Sequence, residues 1–153
     1  RTSASQAEDG GSIPLTRSTM NELAHLYVQT LIFLELDGNL IPIEKTFLCC
    51  ETIHVLTAWN PGDERMPAGE NRLANQRLHQ ALINRDLSPY KAVGRDPNSE
   101  YFEDSWAVIG LSDQEARDIG ASFNQVAVFR VSDGEQTVIA CTEDWCVSRL
   151  LSN

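Results

Sequence analysis

The feature that most constrains the fold is a short apolar run that ends abruptly in a turn. Residues 53–58 (Ile-His-Val-Leu-Thr-Ala) are almost continuously apolar, which is typical of a central strand buried on both faces. The turn residues Asn60-Pro61-Gly62-Asp63 follow at once. Because the proline ring disfavours the α-helical conformation at Asn60, the strand is predicted to end here and not to continue into a helix.

Two main helices are predicted from the spacing of apolar residues. The first runs from about Asn71 to Arg85, and its apolar stripe consists of Ala74, Leu78, Ala81 and Leu82. The second follows a capping-box pattern at Ser112–Glu115, and its apolar face consists of Ala116, Ile119, Gly120 and Phe123. A similar capping-box pattern at Thr19–Glu22 predicts a short helix nearer the start of the chain.

The remaining segments predict the strands of one sheet. Residues 27–36 and 40–47 flank the turn Asp37-Gly38-Asn39, and residues 106–110 form a short buried strand. Residues 126–131 and 136–141 flank Asp133-Gly134, which is a strong hairpin signal. Residues 88–103 are polar and contain prolines, so an exposed, irregular connection is predicted there. This order favours an α/β or α+β fold: a single mixed β-sheet with two main helices packed on it and a C-terminal β-hairpin.

Length and charge limit the possible functions. A chain of 153 residues suits a single domain, predicted over residues 13–153 after a flexible, glycine-rich leader at residues 1–12. Twelve basic against twenty-two acidic residues give a net charge of −10, which disfavours binding to nucleic acid or to anionic membranes. No membrane-spanning apolar run and no secretory signal is visible, so the expected location is the cytoplasm.

The cysteine pattern does not favour a metal site. The four cysteines are Cys49, Cys50, Cys141 and Cys146. Neighbouring side chains on a strand point to opposite faces, so the adjacent pair is poorly placed to bond one partner, and the Cys141–Cys146 spacing is not that of a zinc site. We therefore expect buried, reduced thiols with neither a metal nor a cofactor.

The first candidate site lies where the predicted core strand ends. The strand ends at Asn60, and the next helix begins with Asn71 and Arg72. Ligand sites in α/β proteins commonly lie at such points, where the free N–H groups of a helix start favour an anion. The glycine spacing of a P-loop or a dinucleotide site is absent. The structural alternative is that Asn60 only closes a turn and the arginines solvate the helix surface.

The second candidate is the acidic stretch at residues 100–106, which contains Glu103 and Ser105. A carboxyl group beside a cleft acts as a general acid or base when its surroundings shift its pKa. The alternative is an ordinary solubilising loop. His54 lies within an apolar strand and is expected to be a core residue, and no Gly-x-Ser-x-Gly element is present, so nucleophilic catalysis is not predicted.

Several of these elements together resemble a known family. The elements are Thr57-Ala-Trp-Asn-Pro61, Glu70-Asn71, Glu103-x-Ser105-Trp106 and Phe123-Asn-Gln125-x-Ala127-Val-Phe129. In this order and spacing they resemble the bacterial family DUF3293, a domain of unknown function, over about residues 45–140. The resemblance implies a small bacterial protein and brings no established activity. It also implies polar residues at the ends of buried strands, which cost stability unless they bind one another or a ligand: Asn60, Asn71, Glu103, Ser105 and Gln125.

Two functions are compatible with these patterns. In the first, a small anionic or nucleotide-like ligand binds at the carboxyl ends of the central strands, with Glu103 as the acid or base and Arg72 paired with the anion. The ligand is then oriented by Asn60, Ser105 and Gln125, and Asn71 lies next to them in the site. In the second, the chain is an acidic interaction module, accessory or immunity-like and without catalysis, which engages a basic protein partner. The alternative is that the net charge of −10 only keeps the protein in solution and has no partner.

Overall fold

A computed structural model describes residues 17–152 of the chain. The described part contains three α-helices: α1 (Arg17–Val28), α2 (Ala68–Ile83) and α3 (Asp113–Ser122). Its eight strands are β1 (Leu31–Leu36), β2 (Asn39–Pro42), β3 (Ile53–Leu56), β4 (Tyr90–Arg95), β5 (Phe102–Ile109), β6 (Ala127–Ser132), β7 (Glu135–Ala140) and β8 (Cys146–Leu150). The predicted leader lies outside the described residues. Among the described helices, none is long and apolar enough to cross a membrane.

The strands form one sheet in the order β2-β1-β4-β5-β3-β6-β7-β8. All neighbouring pairs are antiparallel. A single sheet was therefore predicted correctly, but the fold is α+β, and both the α/β alternative and the mixed sheet are wrong. The reason is that each helix connects two strands that are not neighbours in the sheet: α2 links β3 to β4, with β5 between them, and α3 links β5 to β6, with β3 between them. The strand in between is antiparallel to both.

The largest correction concerns residues 88–103, which we predicted to be an irregular connection. They contain β4, which lies inside the sheet between β1 and β5. Strand β5 also begins at Phe102 and not at Trp106. The sequence signal of β4 is weak because Ala92 is its one fully buried side chain, whereas Lys91 and Arg95 are exposed.

Three boundaries also differ from the predictions. Helix α1 continues through residue 28, so β1 starts later than predicted, and Thr19 lies inside the helix and not at its cap. Strand β2 stops at Pro42, and two 3₁₀ turns, Ile43–Lys45 and Phe47–Cys50, replace the rest of the predicted second strand. Strand β8 pairs with β7 and was not predicted.

Two predicted local motifs are confirmed. Ser112 and Glu115 form the reciprocal capping box at the start of α3. Strands β6 and β7 form the predicted hairpin, and both turn residues, Asp133 and Gly134, have positive φ angles of 52° and 74°. Such angles are required by the turns that match the twist of a two-stranded hairpin.

Each face of the sheet carries its own apolar core. On one face, Leu78 and Leu82 of α2 and Ile119 of α3 pack against Leu56 and Val128. On the opposite face, the 3₁₀ turns supply further apolar side chains to a second cluster, which contains Ile32, Leu34, Ile43, Leu48, Ile53, Val55 and Val131. The strands near β3 are therefore buried on both faces, which explains the continuous apolar run in the sequence.

The sheet curls, and the connection between α1 and β1 contacts its far side. Gln136 of β7 donates to the carbonyl oxygens of Val28 and Thr30, at 3.1 and 2.8 Å. The Arg149 guanidinium of β8 donates to the same two oxygens, at 2.6 and 3.1 Å. This contact turns the face opposite α2 and α3 into a concave wall.

Candidate functional site

A cavity of about 370 Å³ lies on the concave face, next to the end of β3. Its walls come from the α1–β1 connection, the end of β3, the turn before β5 and the starts of β5 and β6. Aromatic, charged and amide side chains line it, among them Tyr27, Trp59, Asn60, Arg65, Arg95, Tyr101, Glu103, Ser105, Gln125 and Phe129. The predicted location needs one correction. Because the sheet is antiparallel, the carboxyl end of β3 meets the amino ends of β5 and β6.

Asn60 holds the turn after β3 in place. Its backbone is left-handed, with φ 48° and ψ 62°, a conformation that asparagine tolerates better than most residues. Its side-chain oxygen accepts from the Met66 backbone N–H at 2.9 Å, and its Nδ2 donates to the Tyr101 hydroxyl at 2.6 Å. The residue is 9% exposed, so it serves the structure and lines the cavity at once.

Asn71 and Asn75 connect α2 to the end of β3. They lie one turn apart on the buried side of the helix. The Asn71 Oδ1 accepts from the Asn60 backbone N–H at 2.8 Å, and the Asn71 Nδ2 donates to the Asn60 Oδ1 at 2.9 Å. The Asn75 Oδ1 accepts from Ala58 N–H at 2.7 Å, and the Asn75 Nδ2 donates to the Asp104 carbonyl oxygen at 2.7 Å. Asn71 therefore supports Asn60 from behind and does not line the cavity.

Glu103 lies at the end of a directed hydrogen-bond chain. Asn71 donates to Asn60, Asn60 donates to the Tyr101 hydroxyl, and that hydroxyl donates to the Glu103 carboxylate in a short hydrogen bond. Burial raises the pKa of Glu103 above its ordinary value; the Tyr101 hydrogen bond opposes this rise, and the Asp63 carboxylate adds to it. Burial and the adjacent Glu103 also raise the pKa of Tyr101, so the hydroxyl stays a donor. Glu103 is thus a hydrogen-bonded carboxyl group in the cavity wall whose surroundings raise its pKa.

The other predicted residues differ in their placement. Ser105 and Gln125 line the cavity, and the Gln125 amide nitrogen donates to the carbonyl oxygens of Trp59 and Phe123, at 3.3 Å each. Arg72 is exposed on α2 and does not line the cavity. Two other arginines do, Arg65 and Arg95. The structure therefore brings together Asn60, Glu103, Ser105 and Gln125, with Asn71 directly behind them.

Several lining residues were not predicted, and Tyr101 and Arg65 are the two that contact each other. Tyr101 contacts Glu103 and Asn60, and the Arg65 guanidinium carbon lies 5.3 Å from the centre of the Tyr101 ring, within cation–π distance. Tyr101 precedes Glu103 by two residues, the spacing of side chains on one face of a strand. That signal was available, but residues 100–103 were predicted to be irregular.

A second polar cluster lies outside this cavity. The His54 side chain is 1% exposed, and its Nε2 is 2.7 Å from Asp113 Oδ1. The other Asp113 oxygen forms an ion pair with Arg130. Burial alone would raise the pKa of Asp113, but the His54 hydrogen bond and the Arg130 charge outweigh it and hold that pKa below its ordinary value. The cluster joins β3, β6 and the start of α3, and within residues 17–152 no hydroxyl or thiol forms a hydrogen bond with His54.

The described cysteines occupy two environments. Cys141 is buried as predicted, but Cys50 and Cys146 are exposed, so the prediction of buried thiols is wrong for those two. Burial raises the pKa of Cys141 to about 11, so its thiol stays protonated near neutral pH and is a poor nucleophile.

The raised pKa of Glu103 predicts a pH-dependent stability difference for Glu103→Gln. An acid whose pKa is raised in the folded state ionises more easily in the unfolded chain. It therefore destabilises the fold as pH rises from the pKa in the unfolded chain, 4.5, to the pKa in the folded protein. Glutamine does not ionise and still accepts from Tyr101. We expect Glu103→Gln to equal wild type in its free energy of unfolding near pH 4, and to exceed it at higher pH by an amount that grows until the pH passes the folded pKa and then stays constant, in urea titrations from pH 4 to pH 8.

A matched control for this experiment is Glu100→Gln, because Glu100 is exposed. Its free energy of unfolding should stay within about 0.5 kcal/mol of wild type. A Glu103→Gln variant that is less stable than wild type at pH 8 would contradict the raised pKa.

The comparisons with known proteins identify a family but no activity. Residues 56–128 match the family model DUF3293, described as a protein of unknown function. This confirms the resemblance drawn from the sequence, over a shorter range than residues 45–140. Neither the curated proteins nor the solved structures contain a match to this chain.

Proposed function

We propose that the concave cavity binds a small anionic, nucleotide-like molecule and that Glu103 exchanges a proton with it. One observation supports this most strongly: side chains from three separate segments line the same cavity, namely Asn60, Glu103 with Ser105, and Gln125. Its volume of about 370 Å³ lies within the range of small-molecule sites, roughly 300–1,000 Å³.

The lining has the chemistry that such a ligand requires. Tyr27, Trp59 and Phe129 offer flat apolar surfaces for a ring. Arg65, which lies over the Tyr101 ring, supplies positive charge for an acidic group. We assign to Arg65 the anion-pairing role predicted for Arg72.

Glu103 is the group best suited to proton exchange. Its carboxyl is fixed by Tyr101, which is in turn fixed by Asn60, so its position is determined before any ligand arrives. A raised pKa brings a carboxyl group closer to neutral pH, where it exchanges protons most effectively. In this role Glu103 is a general acid or base, and Tyr101 and Asn60 are positioning residues.

The test is a thermal-shift screen with nucleotides, sugar phosphates and other small anions on three proteins: wild type, Arg65→Ala and Arg72→Ala. A ligand at 100 times its Kd stabilises the fold by about 2.7 kcal/mol, a rise in Tm of about 5–10 °C for a chain of this size. We expect Arg65→Ala to weaken the binding of a hit at least tenfold. Arg72→Ala is the matched control, because Arg72 is exposed and outside the cavity, and it should bind as wild type does.

Each other outcome has a definite meaning. A hit that both arginine variants bind equally well would place the ligand elsewhere and contradict the proposal. If wild type shows no shift with any anion, the acidic interaction module becomes the better explanation, and the next experiment would be salt-sensitive capture of a basic protein by the −10 chain.

A further inference from the structure

Three side chains in the cavity wall keep an unused hydrogen-bond acceptor. The Glu103 carboxyl accepts from the Tyr101 hydroxyl through Oε2, and within residues 17–152 its other oxygen, Oε1, accepts no hydrogen bond. The Gln125 amide nitrogen donates to two backbone carbonyl oxygens, so its Oε1 is the end that is left. The Ser105 hydroxyl donates to the Glu103 carbonyl oxygen at 3.3 Å, and its own lone pairs are left as well.

These acceptors are open to a ligand and are not sealed in the core. In the part of the chain that the structure describes, buried side-chain polar atoms without a partner occur at two residues, His54 and Gln136. Glu103 and Gln125 are not among them, and both line the cavity. Their unpaired oxygens are therefore accessible, and hydrogen-bond donors of a bound molecule can reach them.

The charges around Glu103 also favour donors over acceptors. The Asp63 carboxylate adds to the rise in the pKa of Glu103, and both residues line the cavity, so two acidic groups lie close together in its wall. A ligand edge that carries N–H groups is attracted to two carboxyls, whereas an edge that carries lone pairs is repelled. The acidic part of the ligand has its own partner, Arg65, over the Tyr101 ring.

We propose that the cavity selects a guanine nucleotide and that Glu103 recognises the base. The inference rests on the function proposed above, because it assumes that a nucleotide-like anion binds here. Guanine carries two adjacent donors on its pairing edge, N1–H and N2–H₂, whereas adenine, cytosine and uracil each place an acceptor beside a single donor group. The acceptors of Glu103, Gln125 and Ser105 satisfy both donors of guanine. With any other base, an acceptor of the base meets an acceptor of the wall, and both stay unpaired.

The test is isothermal titration calorimetry of the purified chain with the nucleoside 5′-monophosphates of guanine, hypoxanthine and adenine. The three share their sugar and phosphate. Hypoxanthine keeps N1–H but lacks the N2 amino group, and adenine has an acceptor in place of N1–H. We expect wild type to bind the guanine nucleotide at least tenfold more tightly than the hypoxanthine nucleotide, because one acceptor of the wall loses its donor, and to bind the adenine nucleotide most weakly.

Glu103→Gln should change the preference between the bases. Glutamine keeps its oxygen on the Tyr101 hydroxyl and turns its amide N–H₂ toward the ligand, so a donor replaces an acceptor. We expect the ratio of guanine to adenine affinity to fall at least tenfold. Glu100→Gln is the matched control, because Glu100 is exposed and outside the cavity, and its ratio should equal that of wild type. A purely structural role of Glu103 would change stability and leave this ratio unchanged.

This inference and the proposed function fail in different ways. Equal affinities of wild type for the three nucleotides, all weakened by Arg65→Ala, would overturn guanine selection alone and leave the anion site in place. If none of the three nucleotides binds, guanine selection is overturned, and the wider screen of anions decides whether the cavity binds any anion. A preference for guanine that Glu103→Gln retains in full would overturn the role of Glu103.

Discussion

Asn71→Ala is expected to destabilise the fold by about 2–4 kcal/mol, although the residue contacts no ligand. Asn71 is 2% exposed, and its amide bonds both the backbone N–H and the side-chain oxygen of Asn60. Alanine leaves the Asn60 N–H buried without an acceptor, and each such group costs about 1–3 kcal/mol, in addition to the lost Asn71 hydrogen bonds. The melting temperature should fall by about 5–15 °C, measured by calorimetry or circular dichroism.

Two further variants make this prediction specific. Gln76→Ala changes an exposed amide on the same helix and should shift the free energy of unfolding by less than about 0.5 kcal/mol. Asn71→Asp keeps the acceptor for the Asn60 N–H but loses the donor, and its buried carboxyl would be more stable protonated. The Asn71→Asp deficit should therefore shrink as pH falls. Equal melting temperatures for Asn71→Ala and Gln76→Ala would show that the Asn60–Asn71 pair is not structural.

The same hydrogen bonds explain why Asn71 and Arg72 were predicted as a pair although the structure places them differently. Both residues follow the turn after β3 and both carry hydrogen-bond donors, so the sequence alone gives no reason to assign them different roles. Successive helical residues are rotated by about 100°. Asn71 therefore faces Asn60, and Arg72 faces solvent. Which side of a helix faces the core is set by its whole apolar stripe. The helix was predicted to start at residue 71 but starts at residue 68, so the prediction could not tell which residues of the first turn are buried.

The elements that were not predicted are those that form only by pairing with distant strands. The strong signals were local: the apolar run of β3, the capping box of α3 and the Asp133-Gly134 turn all form from neighbouring residues. Strand β4 has no such signal, since its stability comes from its ladders to β1 and β5. Edge strand β8 alternates between exposed and half-buried side chains and is fixed by pairing with β7. Arg65 reaches the cavity because the loop after β3 places it over Tyr101, a contact between distant parts of the chain.

The antiparallel topology also determines which residues can form the site. In a parallel sheet, the polar residues after each strand would have met at one edge. Here β5 runs against β3, so the residues that meet the end of β3 are those at the start of β5, namely Glu103 and Ser105. The acidic stretch before Trp106 therefore lies beside the cavity and is not a solubilising loop.

Gly120→Ala is expected to destabilise the fold by about 1–3 kcal/mol, against the usual stabilising effect of alanine in a helix. A Cβ at Gly120 would lie 2.6 Å from Cys141 Sγ and 2.7 Å from Val128 Cγ1. Both neighbours are buried, so neither can move away freely, and overpacking of a filled core typically costs this amount. The close contact of α3 with β6 and with Cys141, just after β7, therefore requires glycine here, and denaturant unfolding should detect its loss.

Gly69→Ala is the matched control, because Gly69 is also helical but the nearest atom to its added Cβ would be 3.9 Å away. It should stabilise the fold by up to about 1 kcal/mol, the difference in helix propensity between alanine and glycine. Combining Gly120→Ala with Cys141→Ala removes the closest clashing atom, so Cys141→Ala should cost less in the Gly120→Ala background than in wild type. Strictly additive effects of these two substitutions, or a stabilising Gly120→Ala, would show that α3 does not pack against β7 as closely as described.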